Sequence, residues 1–106
     1  ALRHGAVLDQ RSEFGSTALI LAADRGHKQT VDSLIRHGAA IDLQTIDGDT
    51  ALIRAAFFGK PAALLCLLQA GADVTVRTTR GKTALQWAKK QGHAECVRAL
   101  EEHVAA

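Results

Sequence analysis

Apolar residues fall in short blocks separated by glycines and polar stretches: TALILAA at 17–23, VDSLI at 31–35, TALIRAAFF at 50–58, AALLCLL at 62–68, TALQWA at 83–88 and CVRAL at 96–100. Within the blocks, Val31, Leu34 and Ile35, and again Leu64, Leu67 and Leu68, follow the i, i+3, i+4 spacing of one buried helix stripe. The pattern predicts pairs of short helices. Glycines at 26, 59 and 92 end the first helix of each pair, being at ease with positive φ. Second helices are expected over roughly 28–37, 61–70 and 94–103, closed by Gly38 and Gly71 in the first two cases. Pro61 suits a first helical turn, where its missing N–H costs nothing.

The blocks repeat at a fixed interval. The triplet TAL begins at Thr17, Thr50 and Thr83, and Gly15, Gly48 and Gly81 precede it each time by the same two residues. A constant period of this kind marks a solenoid. The glycine makes a tight turn. The threonine after it can either cap the coming helix or bond to a neighbouring loop. One helical pair cannot bury its own apolar face, but stacked pairs can. Leu19, Leu52 and Leu85 are expected to form one column of core, Val31, Leu64 and Val97 a second, and Leu34, Leu67 and Leu100 a third, with Ile35 and Leu68 beside it.

The motifs resemble the ankyrin repeat. G-x-T-x-L stands at 15–19, 48–52 and 81–85, A-A-x-x-G at 22–26 and 55–59, G-H at 26–27 and 92–93, and L-L-x-x-G-A-D-V at 67–74. The resemblance covers nearly the whole chain and implies an all-α solenoid of helix-turn-helix units joined by β-turn or hairpin loops. It implies one domain over 1–106: a remnant at 1–11, repeats at 12–44 and 45–77, and a last, capping or truncated repeat at 78–106. ALRHGAVLD at 1–9 parallels LIRHGAAID at 34–42, so the remnant reads as the end of a second helix, with further repeats or another domain expected before it. At the other end, Glu101 takes the place of Leu68 and reads as a solvent-facing cap. The chain departs from the family pattern in its TPLH box. Alanine replaces the proline at 18, 51 and 84, and Ile20, Ile53 and Gln86 replace the histidine, so the usual Thr–His hydrogen bond is absent.

The second repeat breaks polarity at one place. In the ankyrin layout, the two residues after each alanine pair close the first helix on the concave side. These are Asp24 and Arg25 in the first repeat and Lys90 and Gln91 in the third, but Phe57 and Phe58 in the second. Adjacent helix residues point about 100 degrees apart, so both rings hide only if two surfaces cover them. One ring tucked under an adjacent repeat is the ordinary packing. An exposed aromatic pair at the centre of the array marks a contact site. The turns ahead of the first helices line the same edge in this family. They carry Phe14 and Ile46, which can also pack along their own turns, and Arg80 and Lys82. Arg54 stands unusually beside Leu21 and Trp87 in one column, and Trp87 is expected to be partly buried and to span two repeats. The candidate site is therefore Phe14, Asp24, Arg25, Ile46, Arg54, Phe57, Phe58, Arg80, Lys82 and Lys90. On the back, Leu65 matches Asp32 and Arg98 and is expected to face outward.

Composition adds little and excludes more. The 106 residues are 47% hydrophobic and 23% charged, with a formal charge of +2. That suits one modest core. The basic stretch RTTRGK at 77–82 is diluted by Asp73, Glu95, Glu101 and Glu102, too weak a field for nucleic acid. No apolar run is long enough for a membrane span. Cys66 and Cys96 read as buried free thiols of a reducing compartment. The histidines at 27 and 93 recur with the repeat, read as bonded to loop backbone, and no pair has the spacing of a helical zinc site. No catalytic constellation and no cofactor are expected. The reading is a protein–protein interaction module that binds a protein or peptide on its concave face, with an acidic segment of the ligand near the third repeat. The alternative is a spacer or self-association segment of a larger protein. A monomer is expected, in the cytoplasm or alternatively the nucleus, with no nucleic-acid or membrane partner.

Overall fold

Threonine starts the first helix of each pair. A computed structural model describes residues 9–12 and 15–105. In it Thr17, Thr50 and Thr83 hold extended backbone, and their hydroxyls accept the N–H groups of Ile20, Ile53 and Gln86 at 3.2, 3.2 and 3.4 Å. These bonds satisfy N-terminal donors that a helix leaves without partners. The helices that follow are α1 (Ala18–Asp24), α3 (Ala51–Phe57) and α5 (Ala84–Gln91). Their partners are α2 (Lys28–Arg36), α4 (Pro61–Gln69) and α6 (Ala94–Ala105).

The family's Thr–His bond is replaced in two ways. Ile20 and Ile53 are buried and give the first two repeats extra core. Gln86 instead completes a capping box: its Oε1 accepts the Thr83 N–H at 2.9 Å while Thr83 accepts the Gln86 N–H. A reciprocal cap of this kind satisfies two donors at once.

The helices stack in two rows. α1, α3 and α5 pack side by side, and α2, α4 and α6 form a second row behind them. The alanine pairs allow close approach: Ala23, Ala55 and Ala56 are fully buried between neighbours. Leu19, Leu52, Val31, Leu64, Leu67 and Leu100 are also sealed from solvent. Each buried side chain of this size contributes about 1.5–3 kcal/mol by transfer from water. The expected columns fade at the edges. Leu85 and Val97 are half-buried because no described repeat follows to cover them, and Leu34 and Ile35 on α2 are half-buried too. Cys96 is sealed, but Cys66 is only half-buried; both thiols are free.

Hairpin-type turns join the pairs, with no strand among the described residues. Thr45 N–H donates to Asp49 O and Gly48 N–H to Thr45 O, both at 2.9 Å, and Thr78 to Lys82 and Gly81 to Thr78 repeat the pattern. Adjacent turns touch: the Thr79 N–H donates to Asp47 O at 3.0 Å. Gly48 has φ +84, and a Cβ there would stand 2.9 Å from the Thr79 nitrogen, so the turn needs glycine for both conformation and space. Between repeats, the carboxylates of Asp9 and Asp42 accept the N–H groups of Ala40 and Asp73 at 2.9 and 3.0 Å. The stacking thus rests on backbone-directed bonds as well as apolar contact.

Candidate functional site

Phe57 and Phe58 end up in different surroundings. Phe57 is the last residue of α3 and Phe58 its C-cap. The Phe57 ring meets Trp87 of α5 edge-on at 5.2 Å between centroids, and the cover makes it half-buried. Trp87 is only 7% exposed, and its Nε1–H donates to Thr78 Oγ1 at 3.3 Å. The tryptophan therefore spans two repeats and is more deeply buried than the sequence suggested. Phe58 stacks edge-on against Phe57 at 5.0 Å but remains 44% exposed. The residues in its place in the neighbouring repeats, Arg25 and Gln91, are exposed and polar.

Arg54 is engaged within the chain. Its Nε donates to Asp49 Oδ2 at 2.9 Å and its Nη1 to Asp24 Oδ2 at 3.1 Å. The guanidinium thus ties α1, α3 and the turn before α3 together. Burial pushes the Asp49 carboxyl above its ordinary value; Arg54 pulls the other way without cancelling this, and the Asp47 charge adds to the rise. Of the candidate residues, Asp24 and Arg54 are thus paired with each other, and Arg54 is shared with Asp49.

A groove of ≈ 400 Å³ runs between the second and third repeats. Its lining brings together Arg54, Phe57, Phe58, Arg80 and Lys90 from the candidate residues, with Asp47, Asp49, Ile53 and Trp87 among the others. Lys82 does not line it but holds its ammonium 5.9 Å from the Trp87 ring centre, and the Lys90 ammonium sits 5.7 Å from the same centre. Cations this close to an indole are attracted by the ring quadrupole. Ile46 is 65% exposed on its turn and does not fold back onto it. Asp24 and Arg25 lie outside the groove lining, and Phe14 falls outside the described residues. Leu65 is exposed on the back of α4, facing outward as its column predicts.

Trp87, Asp49 and Thr78 are the residues that the sequence undervalued. The one signal for Trp87 is its place in the column of Leu21 and Arg54, which says that it faces the groove but not what it covers. His93 Nε2 lies 2.9 Å from Phe57 O, so it bonds to backbone as expected, but at the end of α3 rather than in a loop. Among the described residues no cluster of His, Cys, Asp or Glu is placed to hold a metal, and no helix is long and apolar enough to cross a membrane.

A family model described as ankyrin repeats, in three copies, matches residues 1–78, and a model of the single ankyrin repeat matches residues 80–106. The chain belongs to the ankyrin repeat family. A comparison with curated proteins finds no match. Ankyrin repeats are generally protein–protein interaction modules and typically non-catalytic. The absent proline and histidine of the TPLH box therefore leave the ankyrin fold intact, with threonine caps, buried isoleucines and one capping box in their stead.

Proposed function

We propose that this ankyrin domain binds a peptide segment of another protein in the groove between its second and third repeats, on the concave side. The observation that carries the reading is Phe58. It is an aromatic ring left 44% exposed beside a groove, backed by a second ring that is itself held by a third. Phe57 backs it edge-on and is itself held by Trp87, which restricts the side-chain freedom that binding would cost. Preorganised aromatic surface of this kind is what interface hot spots use. Phe57 serves as support and Phe58 as the contact.

The test is capture from lysate with the wild-type chain beside Phe58→Ala, followed by titration of the purified captured protein against both. The expected result is a marked loss of affinity in Phe58→Ala with an unchanged unfolding midpoint. Equal affinity would remove the site from this groove.

A further inference from the structure

Charge in the groove is divided, and only one half of it is free to act on a ligand. Arg54 is neutralised from two sides by Asp24 and Asp49. Arg80, Lys82 and Lys90 form no ion pair among the described residues. All three belong to the third repeat. Two of them are gathered over one indole, at 5.9 and 5.7 Å, and Arg80 shares the groove wall with Lys90. Against these cations the lining offers one carboxylate that forms no ion pair among the described residues, Asp47, on the turn of the second repeat. The groove is therefore apolar at Phe58 and positively charged beside it.

Cation–π contact does not discharge the lysines. It leaves both ammonium groups charged, 5.9 and 5.7 Å from the centre of an indole that lines the groove. Unpaired cations gathered around one indole raise the local positive potential, which steers an anionic segment toward the groove and sets its orientation. From this arrangement we infer that the ligand is an acidic peptide with one apolar anchor residue. The anchor sits on Phe58, and neighbouring Asp or Glu carboxylates lie among Arg80, Lys82 and Lys90. The inference rests on the proposed groove and adds the chemistry of its occupant. Carboxylates on a peptide suit the site better than a nucleic-acid backbone. The free cations form one cluster rather than a track, and the one indole is buried rather than offered as a stacking platform.

The experiment is a selection of short random peptides displayed on phage against the wild-type chain, Phe58→Ala, and the double variant Arg80→Glu, Lys90→Glu. Affinities follow from the fluorescence of Trp87, the single tryptophan of the chain. Wild type is expected to enrich peptides with an apolar residue close to Asp or Glu. The charge-reversed double variant is expected to bind those peptides about tenfold or more weakly and to select basic residues instead. Phe58→Ala is expected to lose the apolar preference.

Peptides that need Phe58 but show no acidic bias would overturn the acidic-ligand inference and leave the groove standing. Peptides indifferent to Phe58→Ala would overturn the groove itself, as would an empty selection. A single-stranded oligonucleotide that binds wild type more tightly than any selected peptide, with a steep salt dependence, would assign the cations to phosphate and overturn the inference. Circular dichroism of each variant confirms that its fold is retained, since all three altered side chains lie at the surface or groove edge.

Discussion

The imidazole of His93, at the start of the third repeat's second helix, reaches back to the carbonyl of Phe57 at 2.9 Å. Because a carbonyl only accepts, Nε2 carries the proton in this bond. The contact fixes the end of α3 from the following repeat, at the residue that supports the exposed Phe58. It also dictates Gly59, where φ is +68 and an added Cβ would stand 2.5 Å from His93 Nδ1.

Gly59→Ala is expected to destabilise the fold by about 1–3 kcal/mol, from left-handed strain and the collision together. His93→Ala should cost about 1 kcal/mol for the lost hydrogen bond. The double variant should cost less than the sum, because the collision vanishes with the ring. Urea unfolding of the four proteins measures this, and strict additivity would show that the ring does not crowd residue 59.

Arg54→Ala leaves two half-buried carboxylates without their shared cation. The expected loss is about 1–3 kcal/mol, larger than for an exposed ion pair. Adding Asp24→Ala to that variant should cost little more, since both changes break one contact. A cycle with no coupling energy would mean that the ion pair across the two repeats contributes nothing.

Asp49 gives the stability a signed pH dependence. Its folded pKa lies above 3.8, so just above that pH the folded chain binds more protons than the unfolded one. Stability from this group is fully present below 3.8 and is lost as pH rises through the folded value. Wild type should therefore lose ground to Asp49→Asn as pH rises from 3.8 through the folded value. Gaining ground would show that Arg54 outweighs the desolvation.

Cys96 makes the corresponding statement at alkaline pH. Burial, with the Glu95 charge second, pushes its thiol above 9.0. The folded chain keeps this proton where the unfolded chain loses it, so stability should fall as pH rises past 9.0. Cys96→Ala should flatten that decline. Under native conditions a thiol reagent should label Cys66 and spare Cys96, as mass spectrometry of the digest will show. Rapid labelling of Cys96 would mean that α6 opens readily.

The phenylalanines should separate support from contact. Phe57→Ala removes a half-buried ring packed on Trp87 and should cost about 2–3 kcal/mol with a change in tryptophan emission. Phe58→Ala should change stability by no more than about 0.5–1 kcal/mol while weakening ligand binding. Equal stability losses would mean that the two rings share one structural role.

Much of the fold was legible because the decisive signals are local. Glycine at 48 and 59 announces positive φ, Thr17 and Thr50 announce helix starts, and the recurrence of both defines the stack. Thr83-Ala84-Leu85-Gln86 spells a capping box in the sequence itself, yet reading Gln86 only as a replaced family histidine hides it. The groove was legible only in outline. Its position follows from the break in polarity at 57 and 58, but the pairing of Arg54 with Asp24, thirty residues earlier, carries no sequence signature.

The sequence by itself determined the ankyrin architecture, since a repeated pattern assigns each residue an environment by its place in the repeat. That rule works for residues whose neighbours are the same in every copy, such as Leu52 and Ala56. It fails where one repeat meets something its siblings lack. Only the tertiary structure decided that Trp87 covers Phe57 and leaves Phe58 largely bare, and that Arg54 is neutralised while Arg80, Lys82 and Lys90 find no ion pair among the described residues. The physical reason is that burial and charge compensation depend on side chains brought together across repeats. The direction and reach of those side chains are set by packing rather than by period.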